Sequence, residues 1–151
     1  MVFFQSKSLL QAAALPYVWT PRGVEVALIT TRERKRWIIP KGWPEKQLSL
    51  REVAALEAME EAGLEGILAD KPAGSFIYRK RHDRGYEVPC RVFVFPLLVC
   101  HQHLVWKEQD QRKLRWHPIA EAARVADDAG LSKLLNLLAK NPDRLSNLTA
   151  A

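Results

Sequence analysis

Between Ser49 and Gly63 the chain reads SLREVAALEAMEEAG, a stretch whose ends and faces are already defined by residue type. Ser49 can cap a helix, and Glu52 three residues later completes a capping box. Gly63 stands where a helix turns off through a left-handed residue. The segment therefore predicts a helix from Ser49 to Ala62. Ala55, Ala58, Met59 and Ala62 are expected to form its apolar side, their small size letting the helix lie close to a sheet. Glu57, Glu60 and Glu61 fall at i, i+3 and i+4, and at about 100° per residue they occupy a sector of roughly 100° on the other side. Three carboxylates on neighbouring turns repel one another. No Lys or Arg lies between Glu52 and Gly66 to offset them. A hard, oxygen-seeking cation such as Mg²⁺ would. Taken alone, the helix could equally present a solvated acidic face, so its surroundings decide.

Those surroundings read as strands and basic loops. Gln11 to Trp19 and Val24 to Thr30 are apolar runs separated by Pro21-Arg22-Gly23, the pattern of a hairpin. A basic loop, Arg32 to Arg36, leads to Trp37-Ile38-Ile39 and then Pro40-Lys41-Gly42. After the helix, strands are expected at Gly66 to Leu68, Ser75 to Tyr78 and Val88 to Cys100, flanking a second basic loop from Arg79 to Gly85. Trp106 to Trp116 is polar and charged. Pro118 to Ala139 is expected to form two helices broken near Gly130, and 141–151 to fray. The order β-β-α-β-β-α describes an α/β (α+β) fold with a mixed sheet flanked by helices. Residues 1–151 are a suitable length for one domain.

The net charge of +6 favours a polyanionic partner, and the position of the charges has to say which. Cys90 and Cys100, if they share one extended run, stand roughly 33 Å apart at about 3.3 Å per residue, beyond disulfide reach. Two free thiols and no Cys/His cluster suit a reducing cytoplasm and argue against zinc. His101 and His103 alternate without a third partner at suitable spacing and are read as surface residues. The apolar N-terminal stretch around Val2, Phe3 and Phe4 is interrupted by Gln5 and Lys7, so no signal peptide is expected. Nothing approaches the apolar run of about 18 residues that spanning a bilayer needs, so no membrane partner is expected.

The frame from Gly42 to Leu64 resembles the Nudix box, G-x5-E-x7-R-E-U-x-E-E-x-G-U, where U is aliphatic. Gly42 opens it, Glu57 is the first helix glutamate, Glu60-Glu61 follow, and Gly63-Leu64 close it. Trp37 to Lys41 is similar to the family's lead-in. Two positions depart from the pattern: Leu48 stands at the loop glutamate and Leu56 at the arginine that is thought to orient the first helix glutamate. The resemblance implies the Nudix fold, an α/β/α sandwich, and a pyrophosphohydrolase. It implies Mg²⁺, with Mn²⁺ as a substitute, on Glu57, Glu60 and Glu61, with a main-chain carbonyl near Lys41 or Gly42 as a further ligand. With Leu56 in place of arginine, Glu57 needs another holder, such as a Lys or Arg from elsewhere. The later carboxylates Glu108 and Asp110 are candidates for the base, Glu108 the first choice.

Substrate contacts are expected from the basic runs: Arg34 and Arg36 before the box, Lys41 within its lead-in, and Arg79 and Arg81 on the opposite hairpin, with Arg112, Lys113 and Arg115 as a third run. Trp106-Lys107-Glu108, Arg112-Lys113, Arg115-Trp116 and Arg36-Trp37 are similar to the diphosphoinositol polyphosphate phosphohydrolase branch, which also cleaves diadenosine polyphosphates. That implies a small-molecule polyphosphate substrate. Two other classes stay open: a catalytically degenerate module that binds nucleotide or RNA, and a nucleic-acid protein, including an RNA 5′-pyrophosphohydrolase. The missing aromatic interleaving ranks nucleic acid lower. The sequence leaves the oligomeric state open.

Overall fold

In the computed structural model, residues 9–81 and 84–147 are described. His82 of the second basic run, the N-terminal apolar residues Val2 to Phe4, and 148–151 of the expected fraying end lie outside them. The first strands, β1 (Leu9–Thr20) and β2 (Gly23–Thr30), form the expected hairpin, with Tyr17 to Thr20 opposite Gly23 to Val26. Upstream of that pairing β1 leaves its hairpin partner. It runs parallel to β7 (Glu87–Gln102) from Leu9 to Tyr17, and its Ala12 and Ala13 take up β4 (Lys41–Gly42).

Residues Gln11 to Tyr17 are all buried, which is the signature of a strand covered on both faces. The side-chain period of two then divides them. Ala13, Leu15 and Tyr17 enter a core with Ile119, Leu131, Leu135, Leu138 and Leu145, whereas Ala12 and Ala14 enter a second core with Val53, Ala54 and Ala58. The first core is roofed by α2 (Ile119–Val125), α3 (Ala129–Lys140) and α4 (Asp143–Asn147), and the second by α1 (Leu50–Glu57). One mixed sheet between two helical layers results, as the sequence pattern implied.

β5 (Leu64–Leu68) and β6 (Gly74–Arg81) pair successively with the other edge of β7. β3 (Trp37–Ile38) and β8 (Leu114–Pro118) pair with β2. Three readings need correction. Arg79 to Arg81 belong to β6 and not to a loop, because Glu87 to Pro89 extend the ladder opposite them. The helical tail breaks at 126–128 and not at Gly130, since the Asp128 carboxylate accepts from Leu131 N at 2.9 Å and starts α3 there. Residues 143–147 do not fray: Leu145 is fully buried, and Tyr17 Oη donates to its carbonyl. No helix among the described residues is long and apolar enough to cross a membrane.

Candidate functional site

Helix α1 begins as the sequence dictates, with the Ser49–Glu52 capping box present in both directions. Its buried side is Val53 and Ala54, continued by Ala58 and Ala62, while Ala55, expected on that side, is exposed and Met59 only half-buried. The helix then widens into a π turn, Ala58–Ala62, closed by Gly63 at φ 66°. A wider turn needs more residues to come round, so the i+4 side chain moves over Glu57 and the i+3 side chain falls behind. The expected single face of three glutamates is corrected accordingly. Glu57 and Glu61 line one pocket, while Glu60, whose charge still acts on Glu57, reaches Lys107 Nζ at 3.6 Å.

That pocket, about 300 Å³, also receives Gly42, Trp43, Glu45, Glu108 and Arg112. Gly42 is there because nothing larger fits: a Cβ would lie 2.5 Å from the Glu57 carboxyl. The Glu57 and Glu61 carboxyl groups lie close enough to shift one another. Burial and the neighbouring Glu57 push Glu61 up to about 9, against the pull of Arg112. Burial also raises Glu57, helped by the charges of Glu60 and Glu108. Among the described residues no three His, Cys, Asp or Glu side chains already stand as a metal cage. The donors nonetheless fit a hard divalent cation in kind. Two crowded carboxyls whose ionisation is opposed by burial mark a place where positive charge is wanted, and all the acidic groups present offer oxygen.

Among the described residues no lysine or arginine pairs with Glu57, which stands beside Glu61 instead. Arg112 goes to Glu61 and Glu108, and neither Lys113 nor Arg115 of the same run lines the pocket. Arg115 turns away over the Trp37 ring at 5.6 Å. Leu48, at the position of the loop glutamate, packs against the second core, which explains an apolar residue there.

The segment carrying Glu108 docks on the π turn. Glu108 N donates to Glu60 O at 3.0 Å and His103 N to Gly63 O at 2.8 Å. Trp106 lies on Gly63 so closely that a Cβ there would stand 2.5 Å from its ring. His103 itself pairs with Glu65 at 2.7 Å, and His101 is exposed beside it. Asp110, the other base candidate, is exposed on a 3₁₀ turn and does not line the pocket.

Beside the acidic pocket opens a cleft of about 820 Å³, and Arg34, Arg36, Lys41, Arg79 and Arg81 all line it. Arg34 and Arg36 come from the loop after β2, which Thr31 closes by exchanging hydrogen bonds with Arg36. Arg79 and Arg81 come from β6. Arg32, Lys41, Glu61 and Arg112 line both cavities, so the two are continuous. Lys41 stands at the junction, its Nζ 3.1 Å from both Gln11 Oε1 and Tyr78 Oη. Burial lowers its pKa although Glu61 opposes the shift. Gln11 and Tyr78 were not anticipated as site residues. The available signal was Gln11 itself, a polar residue inside an otherwise apolar buried strand. Asp127 and Asp128 add carboxylates to the cleft wall, Asp127 held by Trp37 N at 2.5 Å.

No family model matches the sequence. Curated relatives do. Nudix hydrolase 21, chloroplastic, of Arabidopsis thaliana is 32% identical over 126 residues, covering 80% of this chain and 61% of the relative. Nudix hydrolase 18, mitochondrial, of the same plant is 30% identical over 122 residues, covering 81% and 67%. Nudix hydrolase 13, mitochondrial, is 35% identical over 104 residues, covering 66% and 52%. The chain thus spans about half to two thirds of the length of the curated relatives it matches. Among solved structures, C. elegans Ap4A hydrolase superposes with a TM-score of 0.65 at 19% identity, covering 89% of this chain and 98% of that one. The Nudix domain of Shewanella oneidensis NrtR, solved with ADP ribose, gives 0.64 at 16% identity over 91% and 88%. At such identities the likeness to these structures is one of fold.

Proposed function

The chain belongs to the Nudix hydrolases, and from that premise we propose that it is a Mg²⁺-dependent pyrophosphohydrolase acting on a small, multiply phosphorylated substrate. The observation that carries this reading is the continuity of the acidic pocket with the basic cleft, joined through Lys41, Glu61, Arg32 and Arg112. Glu57 and Glu61 would hold the cation, with Gly42 giving their carboxyls room and Glu60 behind them on Lys107. When bound, the ion supplies charge neutralisation at the phosphoanhydride and a water of lowered pKa. Arg34, Arg36, Arg79 and Arg81 orient the remaining phosphates from two walls, and Lys41 reaches the junction where the reacting group lies. Glu108, at the pocket's edge, is the proton acceptor.

A dinucleoside polyphosphate or a diphosphoinositol polyphosphate has the charge this cleft complements. The C. elegans structural neighbour bears the name Ap4A hydrolase, which supports the first. Two free cysteines, Cys90 and Cys100, keep the cytoplasm as the expected compartment.

The test is a hydrolysis screen over dinucleoside polyphosphates, nucleoside triphosphates, diphosphoinositol phosphates and triphosphorylated RNA, with Mg²⁺, with Mn²⁺ and with chelator. Metal-dependent release of phosphate or nucleotide is the expected result. Tight binding of these ligands without turnover would move the chain to the class of degenerate, ligand-holding modules.

A further inference from the structure

We infer that Arg112 is a positioning residue for Glu108, gripping one carboxylate oxygen so that the other is presented to the acidic pocket. The inference rests on the hydrolase reading above and names how its proton acceptor is aimed. The Arg112 side chain is only 10% exposed, so its charge is not a solvated surface charge. Its Nε and one terminal nitrogen both approach Glu108 Oε1, at 3.1 and 3.0 Å. That terminal nitrogen also lies 3.8 Å from Glu61 Oε1, and the other donates to Thr30 O at 3.1 Å. Among the described residues, the contacts made by the Glu108 carboxylate go to Oε1, and Oε2 takes none.

The guanidinium is fixed from behind as well. Lys113 N donates to Thr30 Oγ1 at 2.9 Å, and Thr30 N donates to Lys113 O at 3.0 Å. The backbone beside Arg112 is therefore clamped to the end of β2, and the planar fork has little freedom. At the other end Glu108 N is held by Glu60 O on the π turn. Glu108 is thus fixed by its backbone and by one oxygen, both on rigid elements. A single-oxygen grip is what a proton acceptor needs. A bidentate pair would occupy both oxygens, whereas no pair would leave the Glu108 carboxylate buried without a cation beside it. In the step this serves, Oε2 takes one proton from water while the water oxygen bonds to phosphorus. The bridging P–O bond breaks with its electron pair leaving on the departing phosphate, and Glu108 returns the proton to solvent.

The experiment is a double-mutant cycle on Mg²⁺-dependent turnover with a substrate the screen identifies, using Arg112→Ala, Glu108→Gln and the pair, with Arg112→Lys as a milder variant. Melting temperature and Mn²⁺ binding are followed in parallel. Arg112→Ala should lower kcat by about 10- to 100-fold, with KM changed by less than about threefold. In the Glu108→Gln background the same substitution should cost less than about threefold. Should the alanine variant fail to fold, Arg112→Lys, which keeps the charge but cannot fork, must show the same dependence on Glu108. Equal losses in both backgrounds, or a KM rise at unchanged kcat, would overturn the inference while leaving the hydrolase standing. Wild type without metal-dependent turnover or Mn²⁺ binding would overturn both.

Discussion

The acidic pocket and the basic cleft share four residues but are built in opposite ways. Glu61, Glu108 and Arg112 are 5%, 13% and 10% exposed, and Arg112 ties the π turn to Glu108. Arg34, Arg36, Arg79 and Arg81 are exposed side chains on a loop and an edge strand. Moving a buried charge leaves its partners unpaired at low dielectric, so each member of the pocket depends on the others. An exposed arginine loses only a screened contact and can be exchanged. On the proposed reading, the chemistry would be held by buried residues, while recognition would sit where substitutions are tolerated. Perturbations should divide along that line.

The largest effect is expected at Glu61. Glu61→Gln removes a donor that no neighbour can replace, and kcat should fall by at least about 100-fold. Glu60→Gln, on a residue drawn off to Lys107, should cost less than about tenfold. Mn²⁺ titrations on the two variants check the same contrast, and equal losses would return Glu60 to the pocket.

Next comes Gly63, which belongs to the pocket through its backbone. A side chain there must adopt φ 66° and also displace the Trp106 ring. Gly63→Ala should cost about 1–3 kcal/mol of stability and loosen the segment that delivers Glu108. Chemical denaturation measures the first and kcat the second. Full stability in the alanine variant would show that Trp106 yields easily.

The capping box, the closing glycine, the β1–β2 hairpin and five of the cations that line the cleft could be read from residue type and local spacing. Three things could not. Glu60 pairs with Lys107 where the helix widens into the π turn, and residue type gave no sign of that widening. Arg112 read as one of a third run of substrate contacts, and only the folded chain brings it to Glu61, fifty-one residues earlier in sequence. β8 was hidden because Leu114 to Pro118 is short, mixed in character and ordered by pairing with β2.

A smaller effect should appear in the pH dependence of the metal-free protein. Glu61 has its folded pKa raised from 4.5 to about 9. Between those values the unfolded chain has released a proton that the folded chain keeps, so stability is fully present below 4.5 and declines as pH rises towards 9. Glu57 shifts in the same direction. Lys41, lowered by burial, works the other way, its contribution growing as pH rises towards 10.5. The slope should not exceed about 1.4 kcal/mol per pH unit for each proton. Melting curves from pH 5 to 9 should fall without metal and flatten with Mg²⁺, because a cation replaces the retained proton. Parallel curves with and without Mg²⁺ would argue against a metal at Glu57 and Glu61.

The smallest effects belong to the cleft, and they decide what the arginines are for. Arg34 and Arg81 stand on different elements, and both are exposed, so each phosphate contact they make is screened and contributes roughly 1 kcal/mol, or about fivefold in KM. Only a substrate long enough to reach both walls can use both of them. In the Arg34→Ala/Arg81→Ala variant, KM should therefore rise by about twentyfold for a long polyphosphate and by less than about threefold for a nucleoside diphosphate derivative. The kcat should change little, since neither arginine lines the acidic pocket. Added salt should narrow the difference for wild type and act less steeply on the variant, which keeps Arg36 and Arg79. The measurement is KM against phosphate number at two ionic strengths for both proteins. Curves that stay parallel would mean that the cleft cations are solvated bystanders, and selection would then pass to Lys41, the one cation of the five that is held in place from behind by Gln11 and Tyr78.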